Sequence, residues 1–289
     1  FDPTSETFSF YSIPVSGGGQ FRGAALASNG EVVFAPFANG PGGLSQWVGL
    51  FDPVALMFRS LDISGVIGTD ASFQYAGASA TLDGRIVFAP WHSSSVGLLR
   101  PTSTLSFATV ATTNVFNSNW QDFHGHYCGC ATASNGLVVL APHMANNVGI
   151  FDPAINSFMS VDISAFGTYI LKYHGAATAS NGLVLFAPFQ AHNVGVFDAL
   201  SRTFTVIHIG SAISTNRKFG GAAATADGLV IFAPFDAGCV GVVNATTSRA
   251  WRSAAPSQLP TSIQAQQQQA TGWSSSRRTK SARWGCSIR

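Results

Sequence analysis

Six of the seven histidines in this 289-residue sequence (His92, His124, His126, His143, His174 and His192) fall at two recurring places. They lie at the start of a Gly/Ala-rich run or shortly after an Ala-Pro dipeptide. His126, His143, His174 and His192, joined by Cys128, are of the types that bind a transition metal, because imidazole and thiolate nitrogen and sulfur are its usual protein ligands. Asp122 is the one acid in the neighbouring loops. Loop imidazoles in such surroundings usually bond backbone or solvent, so the expectation is no metal and no cofactor. A Ser-His-Asp arrangement lacks a nucleophile-elbow motif. No carboxylate pair is spaced for acid–base work, since the recurrent acids fall in Asp-Gly and Asp-Pro turns, where they cap chain reversals.

Two other positions recur. Three residues before the repeat glycine of each Gly/Ala-rich run (Gly23, Gly77, Gly129, Gly175 and Gly221) stands a polar residue: Gln20, Gln74, His126, Lys172 and Lys218. Immediately after each Ala-Pro stands an aromatic or imidazole ring: Phe37, Trp91, His143, Phe189 and Phe235. Arg22, Cys128 and His174 share a third position, occupied elsewhere by Ala76 and Gly220. Gln20, Arg22, Gln74, His126, Lys172, His174 and Lys218 are therefore expected to border one opening, with Phe37, Trp91, His143, Phe189 and Phe235 farther out. The rings have two readings: platforms for a ligand, or wedges packed between neighbouring units. Cys128 and Cys130, one residue apart, are not placed for an ordinary disulfide.

These positions need a repeated scaffold. A near copy of KFGGAAATADGLVIFAPF occurs five times, and equivalent positions (1, 51, 99, 151, 197, 243) are 46 to 52 residues apart. Each copy has four short apolar runs without a helical period, and Asn-Gly or Asp-Gly joins the first two, a strong hairpin signal. Four antiparallel strands at this period predict a β-propeller blade. The Gly/Ala-rich run should be innermost, where blades converge and larger side chains would not fit. The fold class is thus all-β, a β-propeller of four-stranded antiparallel blades, either a five-bladed ring or part of a larger one. Repeats occupy 1–50, 51–98, 99–150, 151–196 and 197–242, with a partial one at 243–253. Residues 1–15 and 243–251 both resemble the outermost strand that the last blade lacks.

Residues 254–289 break the pattern. They are rich in Gln, Ser and Arg, and read as a basic tail that is disordered or non-native. Charge divides a few residues earlier: residues 1–248 carry 8 Lys/Arg against 13 Asp/Glu, a net of −5, and residues 249–289 carry 7 basic residues and no acid. Apolar residues make up 46% and charged residues 10%, yet no run approaches the roughly 20 apolar residues of a membrane span. Asn244-Ala245-Thr246 is a glycosylation sequon, and neither it nor the cysteines fix a compartment. Starting on Phe-Asp-Pro at a repeat boundary, the sequence reads as a mature chain or, more readily, a fragment.

The pattern Gly-x-Ala-x-Ala-x-Asp/Asn-Gly-x-Val-x-Phe followed by Val-Gly-x-Phe-Asp-Pro, running through residues 1–243, resembles the virginiamycin B (streptogramin) lyase type of propeller and the broader NHL and gluconolactonase-like group. The resemblance implies the propeller fold. It also implies, for the lyase type, a His and a Glu serving Mg-assisted elimination, carried by His-Gly at the start of the inner strand and Phe-Thr-Glu after the second. His174-Gly175 matches the first. Phe/Leu-Ala-Pro (Phe34, Phe88, Leu140, Phe186, Phe232) stands in place of the second. The functional expectation is therefore a non-catalytic binding or scaffolding propeller for a carbohydrate, peptide or protein, with no specific nucleic-acid partner. The alternative is a metal-assisted lyase or lactonase-like hydrolase using His174 or His126 as base.

Overall fold

The computed structural model describes residues 8–13, 20–37, 46–68, 73–102, 104–112, 125–167, 170–210 and 212–246. Blade one consists of β1 (Phe21–Leu26), β2 (Val32–Pro36), β3 (Trp47–Asp52) and β4 (Met57–Asp62). Blade two consists of β5 (Tyr75–Ala80), β6 (Ile86–Pro90), β7 (Ser95–Arg100) and β8 (Ser106–Ala111). Blade three follows with β9 (Tyr127–Thr132), β10 (Val138–Pro142), β11 (Asn147–Asp152) and β12 (Ser157–Asp162). Blade four has β13 (Tyr173–Thr178), β14 (Leu183–Pro188), β15 (Asn193–Asp198) and β16 (Thr203–His208), and blade five β17 (Phe219–Ala224), β18 (Leu229–Pro234) and β19 (Gly241–Asn244). Within each sheet, strands pair antiparallel in chain order. The protein is an all-β, five-bladed β-propeller, as the repeat predicts.

Asn-Gly and Asp-Gly make the first hairpin of every blade because their glycines take positive φ, +82° to +89° across Gly30, Gly84, Gly136, Gly182 and Gly228. The glycine of each Val-Gly-apolar run has a different cause. A Cβ on Gly49 would lie 2.9 Å from the Phe21 ring and 3.0 Å from that of Phe58. The third strand is therefore kept bare so that aromatics from the first and fourth strands meet over it.

Blades seal by opposing unlike faces. Val33, Ala35, Val48 and Leu50 of blade one pack on Tyr75, Phe88 and Leu99 of blade two. Val139, Ala141, Val148 and Ile150 of blade three likewise meet Tyr173, Phe186 and Phe197 of blade four. Each large side chain fully buried this way contributes about 1.5 to 3 kcal/mol, so the stack of blades is itself the core.

At the axis the innermost strands touch backbone to backbone. A Cβ on Gly23 would sit 2.6 Å from the Gly77 Cα, one on Gly77 2.4 Å from Gly129, one on Gly129 2.6 Å from Gly175, and one on Gly175 2.8 Å from Gly221. A Cβ on Gly221 meets no described atom within 4 Å. Blade five's outward face is correspondingly uncovered: Ala233 and Pro234 are exposed, whereas Ala35, Ala89, Ala141 and Ala187 are fully buried. Blade one's opposite face is half-covered, with Phe34 and Phe51 less buried than Phe88 and Phe151.

The segment 8–13, expected to compete for the fourth strand of the last blade, forms no strand and sets Tyr11 5.5 Å from Phe51 of blade one. The aromatic face of blade one offers apolar cover that the narrow edge of β19 does not. Of the second competing segment, 243–244 belongs to β19, and 247–251 lies outside the described residues, as does the tail 254–289. No described helix is long and apolar enough to cross a membrane.

Candidate functional site

The two recurrent positions are brought together by backbone hydrogen bonds. In each blade the N–H after Ala-Pro donates to the carbonyl just before the inner strand: Phe37 to Gln20 (2.9 Å), Trp91 to Gln74 (2.9 Å), His143 to His126 (2.9 Å), Phe189 to Lys172 (2.8 Å) and Phe235 to Lys218 (2.9 Å). Neighbouring blades are stitched at the same level. His126 N–H donates to the Trp91 carbonyl (2.9 Å), Lys172 to His143 (2.8 Å) and Lys218 to Phe189 (2.8 Å). All ten residues therefore lie at one end of the blades.

The side chains are arranged differently from the expectation. Rings of successive blades touch, at centroid separations of 5.6 Å for Phe37–Trp91, 4.9 Å for Trp91–His143, 5.8 Å for His143–Phe189 and 5.4 Å for Phe189–Phe235. Equivalent points on adjacent blades come this close only where blades converge, so the aromatic arc is near the axis rather than farther out. Trp91, His143 and Phe189 are 5%, 2% and 7% exposed, Phe37 is half-buried, and Phe235 is 55% exposed. The first three are wedges. Phe235 retains an open face because blade five is uncovered.

The polar residues turn into the blades to differing degrees. Lys172 and Lys218 are buried, and each ammonium reaches back to the preceding blade: Lys172 Nζ to Met144 O and Asn146 Oδ1 (both 3.3 Å), Lys218 Nζ to Gln190 O (3.3 Å). Burial pushes the Lys172 amine down to about 8 and lowers that of Lys218. These lysines are ties between blades more than a polar rim. Gln20 is also buried, whereas Gln74 and His126 are half-buried.

Arg22 and His174, at the shared strand position, meet across the opening from blades one and four. The Arg22 guanidinium lies 4.8 Å from the Phe37 ring and 4.3 Å from the Trp91 ring, and its Nη2 donates to His174 Nε2. Arginine has no acceptor, so Nε2 must be the lone-pair nitrogen and Nδ1 must carry the proton, which it donates to the Gly220 carbonyl at 3.0 Å. His174 also stacks on Phe189 at 4.8 Å. Burial, reinforced by the Arg22 charge and opposed by the Gly220 bond, holds the His174 pKa down to about 4. Burial, then the neighbouring His92, also lowers His126.

A base whose folded pKa lies below its unfolded value of about 6.5 leaves the unfolded state binding more protons between the two. The stability contributed by keeping His174 neutral is therefore full above pH 6.5 and falls as pH drops towards 4. His174 accounts for about 3 kcal/mol of that fall at roughly 1.4 kcal/mol per pH unit. Urea melts at pH 7 and 4.5 should show the loss, and His174→Gln should remove most of it. An equal loss in that variant would assign the effect elsewhere.

Among the described residues, no three His, Cys, Asp or Glu side chains come together to hold a metal ion. The Mg-assisted site implied by the lyase resemblance does not fit the residues present. His174 has both nitrogens engaged, and His192 stands exposed beside Gly210. Cys128 and Cys130 are buried free thiols raised by burial to about 11 and about 12. His124 and Asp122 lie outside the described residues. Two further acids stand outside the Asp-Gly and Asp-Pro turns. Asp62 and Asp162 close β4 and β12 at this end, each accepting the N–H of the serine two residues on at 2.8 Å.

The opposite end is committed to structure. Asp52 accepts from Val54 and Ala55 as the turn reading requires. Arg85, buried, pairs with Asp83 at 2.6 Å and reaches Asn156 and the Pro153 carbonyl of blade three. That bond holds Asp83 at about 2. Sequence reading missed this inter-blade clamp, as it missed Arg59–Glu31 at 2.7 Å. The only available signal was a basic residue directly after Asp-Gly.

No protein-family model and no curated protein sequence matches the chain. Among solved structures, a catalytically inactive virginiamycin B lyase from Staphylococcus aureus with quinupristin is similar at a TM-score of 0.61 and 13% identity, covering 82% of this chain and 71% of that one. The extracellular domain of a putative one component system from B. thetaiotaomicron reaches 0.53 at 11% identity, over 78% of this chain and 27% of that one. A chain of a nidogen/laminin complex reaches 0.52 at 8% identity, over 78% and 76%. At such identities the likeness establishes the β-propeller fold and leaves chemistry to the residues.

Proposed function

We propose that the protein is a non-catalytic binding propeller that takes a carbohydrate or peptide at the end where the aromatic arc and Arg22 lie. The observation that carries this reading is the Arg22 guanidinium, set against the Phe37 and Trp91 rings and bonded to His174. It is a pre-positioned polar group set in an aromatic surround, the usual composition of a ligand site. Two features weigh against metal-assisted elimination or lactone hydrolysis. The matching histidine spends both nitrogens on protein partners, and the described residues supply no three-ligand set. The neighbours include a lyase and extracellular and complex-forming propellers, so the fold accommodates either role. No specific nucleic-acid partner is part of this reading.

Phe235 supplies the test, being the exposed member of the arc, with the Arg217 guanidinium 5.6 Å from its ring. A glycan and peptide array should detect a ligand for the wild type. Phe235→Ala should weaken that ligand by about 1 to 3 kcal/mol with an unchanged melting curve. Ligands captured equally well by the variant and lost on disrupting the Asp-Pro turns would place binding at the other end and overturn the reading.

A further inference from the structure

Arg22 is the only arginine or lysine at its repeat position, which elsewhere holds Ala76, Cys128, His174 and Gly220. Arg22 is half-buried, and its guanidinium lies beside two rings and spends one donor on His174. No described carboxylate pairs with it: the described ion pairs are Arg59–Glu31, Arg85–Asp83 and Arg217–Asp236. A guanidinium has five N–H donors arranged in a planar fork. Phe37 and Trp91 meet edge-to-face at 5.6 Å beside that of Arg22, and with one donor used on His174 the remaining donors lack a described protein acceptor. His174, held in its neutral tautomer by the Gly220 carbonyl, fixes the fork without neutralising it.

We infer that Arg22 is the anion-binding anchor of the proposed site, and that the ligand is an acidic carbohydrate whose uronate carboxylate docks on the free edge of the guanidinium. The inference rests on the binding reading above and names its ligand class. A carboxylate matches two parallel N–H donors, the geometry that makes Arg–carboxylate contacts strong and directional. The two ring contacts and the His174 bond hold the fork beforehand, so little side-chain freedom remains to be lost on binding. A pyranose ring adds an apolar face suited to the neighbouring aromatic arc, whose exposed member is Phe235. Inorganic phosphate and acidic peptides offer the same charge without that face, so they serve as comparisons.

The test is calorimetric titration of the full chain with trigalacturonate and with its methyl ester, which replaces each carboxylate charge by a neutral methyl ester on the same sugar chain. Wild type should bind the acid at least tenfold more tightly than the ester. Arg22→Ala should bring the two within twofold, and Arg22→Lys, which keeps charge but not the fork, should recover little of the preference. Arg59→Ala, removing a cation from the opposite end, should retain it. The wild-type comparison needs no variant and stands if Arg22→Ala fails to fold. Equal binding of acid and ester by wild type overturns the anion anchor and leaves the binding reading intact. A preference persisting in Arg22→Ala also overturns it. Tighter binding of phosphate or of an acetylated triglutamate peptide overturns the uronate assignment. Binding of none of these probes overturns the acidic-sugar inference, and the array of the preceding section then decides the binding reading separately.

Discussion

Trp91→Ala is expected to cost about 3 to 5 kcal/mol of folding stability, the range for truncating a buried aromatic. Trp91 packs with Ala76 and Cys128, and with Phe37 from blade one. It lies 4.9 Å from His143 of blade three, and its carbonyl receives the His126 N–H that stitches blade two to blade three. Gly125 lies so close that a Cβ there would fall 2.0 Å from the indole. Removing the ring opens a cavity among three blades and releases one face of Arg22. Typical domains have only about 5 to 15 kcal/mol in total, so the loss should be plain in a urea melt. A change within about 0.5 kcal/mol, the range of an unremarkable surface site, accompanied by lost ligand binding would instead make Trp91 a platform.

That outcome separates two readings the sequence left open, and it shows where legibility stopped. Strand runs, Asn-Gly turns and the 46 to 52 residue period are local or periodic signals, so blade architecture and the innermost position of the Gly/Ala-rich run were readable. The common end shared by Gln20 and Phe37, or Lys218 and Phe235, followed from antiparallel geometry and is realised in their backbone hydrogen bonds. Side-chain fate was not readable. A lysine before strand β13 looks like a rim residue until the preceding blade supplies the Met144 carbonyl and Asn146 to its ammonium. The Arg22–His174 contact joins residues 152 apart. Nothing in either repeat alone announces it, because it depends on how blades one and four face each other.

Glycine-to-alanine substitutions along the axis should divide sharply by blade. Gly77 has φ +106°, and a Cβ there would lie 2.4 Å from the Gly129 Cα. Gly77→Ala therefore forces a side chain into a left-handed backbone and against main chain that cannot rotate away. Strain of about 1 to 3 kcal/mol and overpacking of about 1 to 3 kcal/mol together give a loss of about 2 to 6 kcal/mol. Gly221 occupies the corresponding repeat position in β17, yet its φ is not left-handed and open space faces its would-be Cβ. Gly221→Ala should change stability by no more than about 0.5 kcal/mol, with the greater backbone entropy of glycine in the unfolded chain acting in favour of the alanine variant. Thermal and urea melts of the two variants at equal concentration make the comparison. If Gly221→Ala costs as much as Gly77→Ala, the outward face of blade five is covered in solution by another strand presenting its backbone there, and the exposed Ala233 and Phe235 would mark where that strand's sheet packs.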